Sequence, residues 1–221
     1  MADKYPSISP YAYCAWNPVK LIDPTGDTID VSRLSSAALE RYNANIQKLQ
    51  KSPLFSSYYD DLQNSTNTYY IEECVGIGGS GSFEPSRSTI SAKLDDLYTL
   101  SQELFHAFQT DCNIYSCNDA SVRETEGDIA SQLVMIDLEK ISISESWSSQ
   151  LFNYIDDYSK ILTSQFSKDF SNMVDLRIAF YKQRELQDGA QAPKTYIQAN
   201  SGTPPLALQK AIKKSMQCQH H

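Results

Sequence analysis

Residues 95–110 read Asp95-Asp96-Leu97-Tyr98-Thr99-Leu100-Ser101-Gln102-Glu103-Leu104-Phe105-His106-Ala107-Phe108-Gln109-Thr110. Leu97, Leu100, Leu104, Phe105 and Phe108 recur at the three- and four-residue spacing of one helix face, so the stretch is expected to be a helix packed on a core. Gln102 and His106 stand four apart and share a face, with Glu103 beside them. A polar trio on a helix otherwise built for burial has two readings. It is a patch on an amphipathic helix, or it is part of a site.

Working outward, helical rhythm dominates. Ser32–Ser52 carries Leu34, Ala38, Leu39, Tyr42, Ile46 and Leu49, with Ser35 or Ser36 as cap and Pro53 as its end. Residues 54–65 are ambiguous, with a short helix around Phe55–Leu62. Thr66–Val75 is β-branched and aromatic and reads as a strand. Gly76-Ile77-Gly78-Gly79-Ser80-Gly81-Ser82-Phe83 follows, as a turn or a strand that other backbone must approach closely. Ser88–Ala92 reads as another short strand. Beyond residue 110, helices are expected over 121–140, 147–167 and 169–187, and a last one over 206–216. The fold class is therefore α+β, mainly helical, with one small sheet.

Composition narrows the function. The chain has 221 residues, 41% hydrophobic and 21% charged, as an ordinary globular protein has. The formal net charge of -8, from 19 Lys+Arg against 27 Asp+Glu, argues against nucleic acid as a partner. No apolar run approaches the roughly 20 residues of a membrane span. Nor does the start of the chain carry a signal peptide. Five cysteines cannot all pair. Cys112 and Cys117 are either a local disulfide or two free thiols, and Cys14, Cys74 and Cys218 are expected to be unpaired. Of the 3 histidines, His220 and His221 end the chain, so histidine chemistry must run through His106.

The first 26 residues have another texture. Pro6, Pro10, Pro18 and Pro24 remove backbone donors and favour extended geometry, and Asp23-Pro24-Thr25-Gly26 reads as a turn. By itself this is an extended arm with aromatic anchors. The stretch closely resembles the end of the RHS repeat-associated core domain, through Tyr5, Pro6, Ser9, Pro10, Tyr11, Tyr13, Asn17, Pro18, Asp23, Pro24 and Gly26. The resemblance covers residues 5–26 alone. It implies an upstream β-shell of repeats and a variable C-terminal domain after Gly26. Such domains are commonly toxins or effectors delivered to competing cells, often with an immunity protein. The expected organisation is residues 1–26 as the end of the RHS core, 27–200 as the effector domain, and 201–221 as a C-terminal tail or short helix. The expected destination is secretion or delivery.

Residues 102–109 bear a second resemblance, to the active-site helix of zincin metallopeptidase toxins, where His-Glu-Leu-Phe-His-Ala-Tyr-Gln is frequent. Glu103, Leu104, Phe105, His106, Ala107 and Gln109 match. The resemblance implies a zincin-like fold, with a small sheet beside the active-site helix. It also implies zinc as cofactor, a peptide or protein as substrate, His106 as a metal ligand and Glu103 as the general base on a metal-bound water. The third ligand would be a glutamate on the next helix. Glu126, followed by the small Gly127, suits the family pattern better than Glu124. The backbone near Ile77–Phe83, with Gly78 and Gly79, would hold an extended peptide.

Gln102 stands where the first metal histidine belongs. An amide oxygen is a poor zinc ligand beside imidazole, so zinc is expected to bind weakly or not at all. The open readings are a domain descended from a metallopeptidase but inactive, an active site with unusual ligation, a site inactivated by an introduced substitution at position 102, and a polar patch without chemistry. A non-catalytic binding domain at the tip of an RHS protein is the rival function. The Gly-rich segment lacks the Gly-Lys-Ser/Thr ending of a phosphate-binding loop. No cysteine carries a protease-like signature.

Overall fold

Two parallel strand pairings need long crossovers, and the helices between them supply the first. In the computed structural model, which describes residues 28–74, 81–113, 120–140, 146–188 and 203–218, β1 (Ile29–Asp30) leads through α1 (Ser36–Leu49) and α2 (Pro53–Gln63) to β2 (Tyr69–Glu73). β3 (Gly81–Glu84), a 3-10 turn at Pro85–Arg87 and β4 (Thr89–Ala92) complete a mixed sheet of order β1-β2-β4-β3. β1 and β4 both pair with β2 in parallel, and β3 pairs with β4 antiparallel, Phe83 opposite Ile90. β3 therefore forms one edge of the sheet. Then come α3 (Leu97–Asp111), α4 (Ala120–Asp137), α5 (Ser164–Asp188) and α6 (Leu206–Cys218). The fold is α+β and mainly helical, as the periodicity implied.

Local chemistry explains the boundaries. Asp96 starts α3 by accepting hydrogen bonds from the backbone N–H groups of Tyr98 and Thr99. Asn113, at φ 50, ends it in the left-handed conformation that asparagine tolerates. Ser35 caps α1, as expected. Pro53 closes one helix and opens another: Ser52 caps α2 and Pro53 takes its first position, where a missing N–H costs nothing.

The expected helix over 147–167 is replaced by two 3-10 segments, Ser146–Asn153 and Tyr158–Leu162, and α5 runs unbroken from Ser164. Serine, asparagine and aspartate are dense there and compete for backbone donors. Asp157, for instance, accepts from the N–H of Ser159. Residues 1–27, with the RHS-like arm, lie outside the described residues, as do Gly78, Gly79, Cys117, His220 and His221. Among the described residues no helix is long and apolar enough to cross a membrane.

The core forms where α2, α3 and the sheet meet. Tyr58 packs edge-on against Phe105, ring centroids 5.2 Å apart, and Phe105 lies 5.6 Å from Phe108. Tyr58 keeps its hydroxyl satisfied on Ser101 Oγ at 2.8 Å. α6 is no solvated tail: Ala207, Leu208, Ala211 and Ile212 are buried. Lys210 and Lys214 pair with Asp61 on α2. Cys112 is a free thiol, with Lys210 Nζ 3.4 Å from its sulfur.

Ser52 joins two parts of this core. Besides capping α2 it donates to Asp137 at the end of α4, which also accepts from Tyr158. Ser52→Ala removes both functions, and is expected to cost about 1–2 kcal/mol in denaturant unfolding. No loss would show that the cap contributes nothing.

Candidate active site

Helix α3 lies against β3, β4 and α4, so its polar residues meet three neighbours. Glu103 and His106 are buried, and Gln102 is half-buried. Gly81 on β3 allows the closest approach: a β-carbon there would stand 2.7 Å from Thr99 Cγ2 and 3.0 Å from Glu103 Cγ and Oε1. Its φ of +147° also suits glycine alone. Glu103 is thereby walled by the edge strand. Burial raises its carboxyl from 4.5 to about 7; His106 opposes this, Glu124 and Asp128 add to it, and the Phe83 backbone N–H works against it.

On α4, Gly127 plays the matching part. A β-carbon at that position would come 2.7 Å from Cε1 of His106 and 3.2 Å from Nε2. The imidazole thus lies on bare helix backbone, and Glu124, one turn earlier, reaches its Nε2 at 3.6 Å. Burial alone would lower the histidine, but Glu124, Glu103 and Gln109 together raise it above its usual value. Burial would likewise raise Glu124, yet His106, with Arg177 and Arg123, holds it well below the carboxylate range. The two make an ion pair in which His106 is buried and Glu124 half-buried.

The other glutamate on α4 stands elsewhere. Glu126, expected as the third ligand, is fully buried and takes a hydrogen bond from Gln109 Nε2 at 2.6 Å and another from the backbone N–H of Leu208 at 2.7 Å. Gln109 links it to the Nδ1 edge of His106. Two residues along a helix turn the side chain by roughly 200°, so Glu124 and Glu126 cannot share a direction. The carboxylate that faces Nε2 is Glu124.

Gln102 is held as well. Its Nε2 donates to Asp128 Oδ1 at 2.7 Å, the oxygen that also accepts from the Tyr98 hydroxyl at 3.1 Å. The other oxygen of Asp128 pairs with Arg177 of α5. Asp128, Gln109 and Arg177 did not emerge as site residues from the sequence. The four-residue spacing of Glu124 and Asp128 was the available signal, since it puts both on the face turned to α3.

The donor set can be tested against zinc. His106 Nε2 and Glu124 are as close as two ligands of one ion can be, each about 2.0–2.2 Å from it. The remaining position offers only the neutral amide of Gln102. Among the described residues no three His, Cys, Asp or Glu side chains gather as a metal site would need. A complete zinc site does not fit the residues present.

No protein-family model matches the chain, and comparison with curated proteins and with solved structures found no match either.

Two outcomes follow from the packing and charge of the site. Gly127→Ala forces the imidazole off α4, and is expected to cost about 1–3 kcal/mol and to move the His106 ring resonances; unchanged resonances would sink the close-contact account. A carboxyl with a raised folded pKa contributes stability that is full below its unfolded value and lost as pH rises through the folded one. The unsubstituted protein should therefore lose stability relative to Glu103→Gln between pH 4.5 and about 7. Thermal melts of both proteins across that window check it, and parallel curves would contradict the buried carboxyl.

Proposed function

We propose that the chain after residue 26 is the C-terminal effector domain of an RHS-type polymorphic toxin, built on a zincin-like peptidase frame whose first metal position has been given up to glutamine. The observation that carries this reading is Glu103 walled by the antiparallel edge strand β3, with His106 one turn along the same helix and paired with Glu124 of α4. In a metallopeptidase the base and the ligands stand together next to a strand edge that an extended peptide can join. Glu103 takes the place of the general base here, with a pKa near 7 that suits proton transfer at neutral pH. His106 and Glu124 take two ligand places. The pattern from Tyr5 to Gly26 supports the RHS half of the reading, and with it an upstream shell, delivery to another cell and an immunity protein.

A second reading, in which the domain acts by binding alone, is favoured by the state of Gln102. Its amide is committed to Asp128 rather than turned free toward His106. A polar network satisfied without a metal gives the position a structural role.

One substitution separates the two. Asp128 already lies within hydrogen-bond reach of side chain 102, where it could orient an imidazole as carboxylates orient metal-bound histidines. Gln102→His is expected to tighten zinc binding in calorimetry by more than about 100-fold, beyond what an outer-shell contact is worth. Peptide hydrolysis that is lost again in the Gln102→His, Glu103→Gln double variant would establish the peptidase frame. Equal zinc binding before and after Gln102→His would leave the binding-only reading.

A further inference from the structure

The amide of Gln109 can be oriented in one way only. Its Nε2 lies 3.0 Å from the carbonyl oxygen of Arg123, which accepts and cannot donate, and 2.6 Å from Oε2 of Glu126. The nitrogen therefore donates twice, and Oε1 is left as the acceptor facing His106 Nδ1 at 2.8 Å. An acceptor there calls for a hydrogen on Nδ1 and turns Nε2 toward the Glu124 carboxylate, a second acceptor, so the ring is held as an imidazolium with a hydrogen on each nitrogen.

Glu126 is anchored in turn. It sits on α4, wholly buried, and its Oε1 takes the N–H of Leu208 in the first turn of α6. N–H groups in that turn have no partner within their own helix, and the helix dipole there favours a negative charge. Each member of the series thus has a reason to face the next: α6 to Glu126, Glu126 to Gln109, Gln109 to His106.

We infer that Gln109 is a positioning residue, the middle of a relay running from the first turn of α6 through Glu126 to His106, and that this relay fixes the rotation of the imidazole ring. The inference rests on reading His106 as the working imidazole, but it makes a claim of its own about the ring. Nδ1 is spent on holding the ring still, and Nε2 is turned to Glu124 on α4. A positioning carboxylate reached through an amide keeps its charge away from the imidazole, where a direct contact would add a second anion beside Glu124. Gln109 thus transmits orientation without changing the local charge.

The ring can be read without metal or substrate, so failure here and failure of the zinc reading are distinguishable. Protein labelled with 15N-histidine, with His106 assigned against a chain carrying His220→Gln and His221→Gln, reports which nitrogen is protonated and how fast its hydrogen exchanges. At neutral pH both ring nitrogens are expected to carry a hydrogen, with the one on Nδ1 slowly exchanging. Gln109→Leu should speed exchange of the Nδ1 hydrogen by roughly two- to tenfold or more, with the backbone amide spectrum unchanged. Glu126→Gln keeps the shape but cannot accept from both Gln109 and Leu208 in the same way, and should give a smaller change of the same sign. An Nδ1 hydrogen that exchanges as fast as a solvent-exposed one in the unsubstituted protein would overturn the inference, and so would equal exchange in the folded variants. Should Gln109→Leu not fold, the unsubstituted ring and Glu126→Gln decide.

Discussion

The imidazole of His106 rests on the backbone of α4 at Gly127, and much of the surrounding architecture depends on that contact. The absence of one β-carbon lets two helices approach closely enough for a side chain of one to lie on the peptide groups of the other. Glu124 and Asp128 on α4 are then brought level with His106 and Gln102 on α3, so an ion pair and a hydrogen bond bracket the glycine. On the adjoining face of α3, Gly81 does the same for the sheet, bringing β3 against Glu103. Two glycines on two elements thus set the dimensions of the site.

Charge so deeply placed has to be compensated. α4 is buried continuously from Thr125 to Met135, a stretch that includes Glu126, Asp128 and Gln132. Burying such groups costs several kcal/mol each unless partners meet them. Asp128 is met by Arg177, Tyr98 and Gln102, and Glu126 by Gln109 and Leu208. These partners come from α3, α5 and α6, so the polar groups of one helix hold three others in register with it. The same network leaves Glu103 and His106 as the groups whose proton affinities are displaced toward neutral and mildly basic pH.

The sequence made α3 plain because Leu97, Leu100, Leu104 and Phe108 keep a helical period and Asp96 caps it. The strands at 69–73 and 89–92 were equally legible from their β-branched and aromatic residues. β1 was not read, since two residues carry no period. The stretch from Ser146 to Leu162 misled because Leu151, Tyr154, Tyr158 and Ile161 keep a helical spacing while the intervening Ser, Asn and Asp draw the backbone into 3-10 turns. Within the site, Glu103 and His106 stood out by their spacing. The choice between Glu124 and Glu126 depended on which way α4 is rotated, and that is set by Gly127 packing on a residue in another helix. Gln109 and Arg177 could not be singled out, since a glutamine and an arginine among apolar residues resemble solvent-facing positions until their buried partners are known.

The bond from Leu208 to Glu126 spans 82 residues. Contacts of that separation form late, because the loop they close must first be paid for in chain entropy. A chain made from its N-terminus, or threaded unfolded through a pore in the same direction, would have α3, α4 and the sheet available before α6 arrives. In that interval Glu126 would be a carboxylate without its helix terminus and Gln109 an amide with a loose partner. The ring of His106 would be free to turn. Arrival of the last helix would then act as a latch, joining completion of the fold to readiness of the imidazole in one docking step.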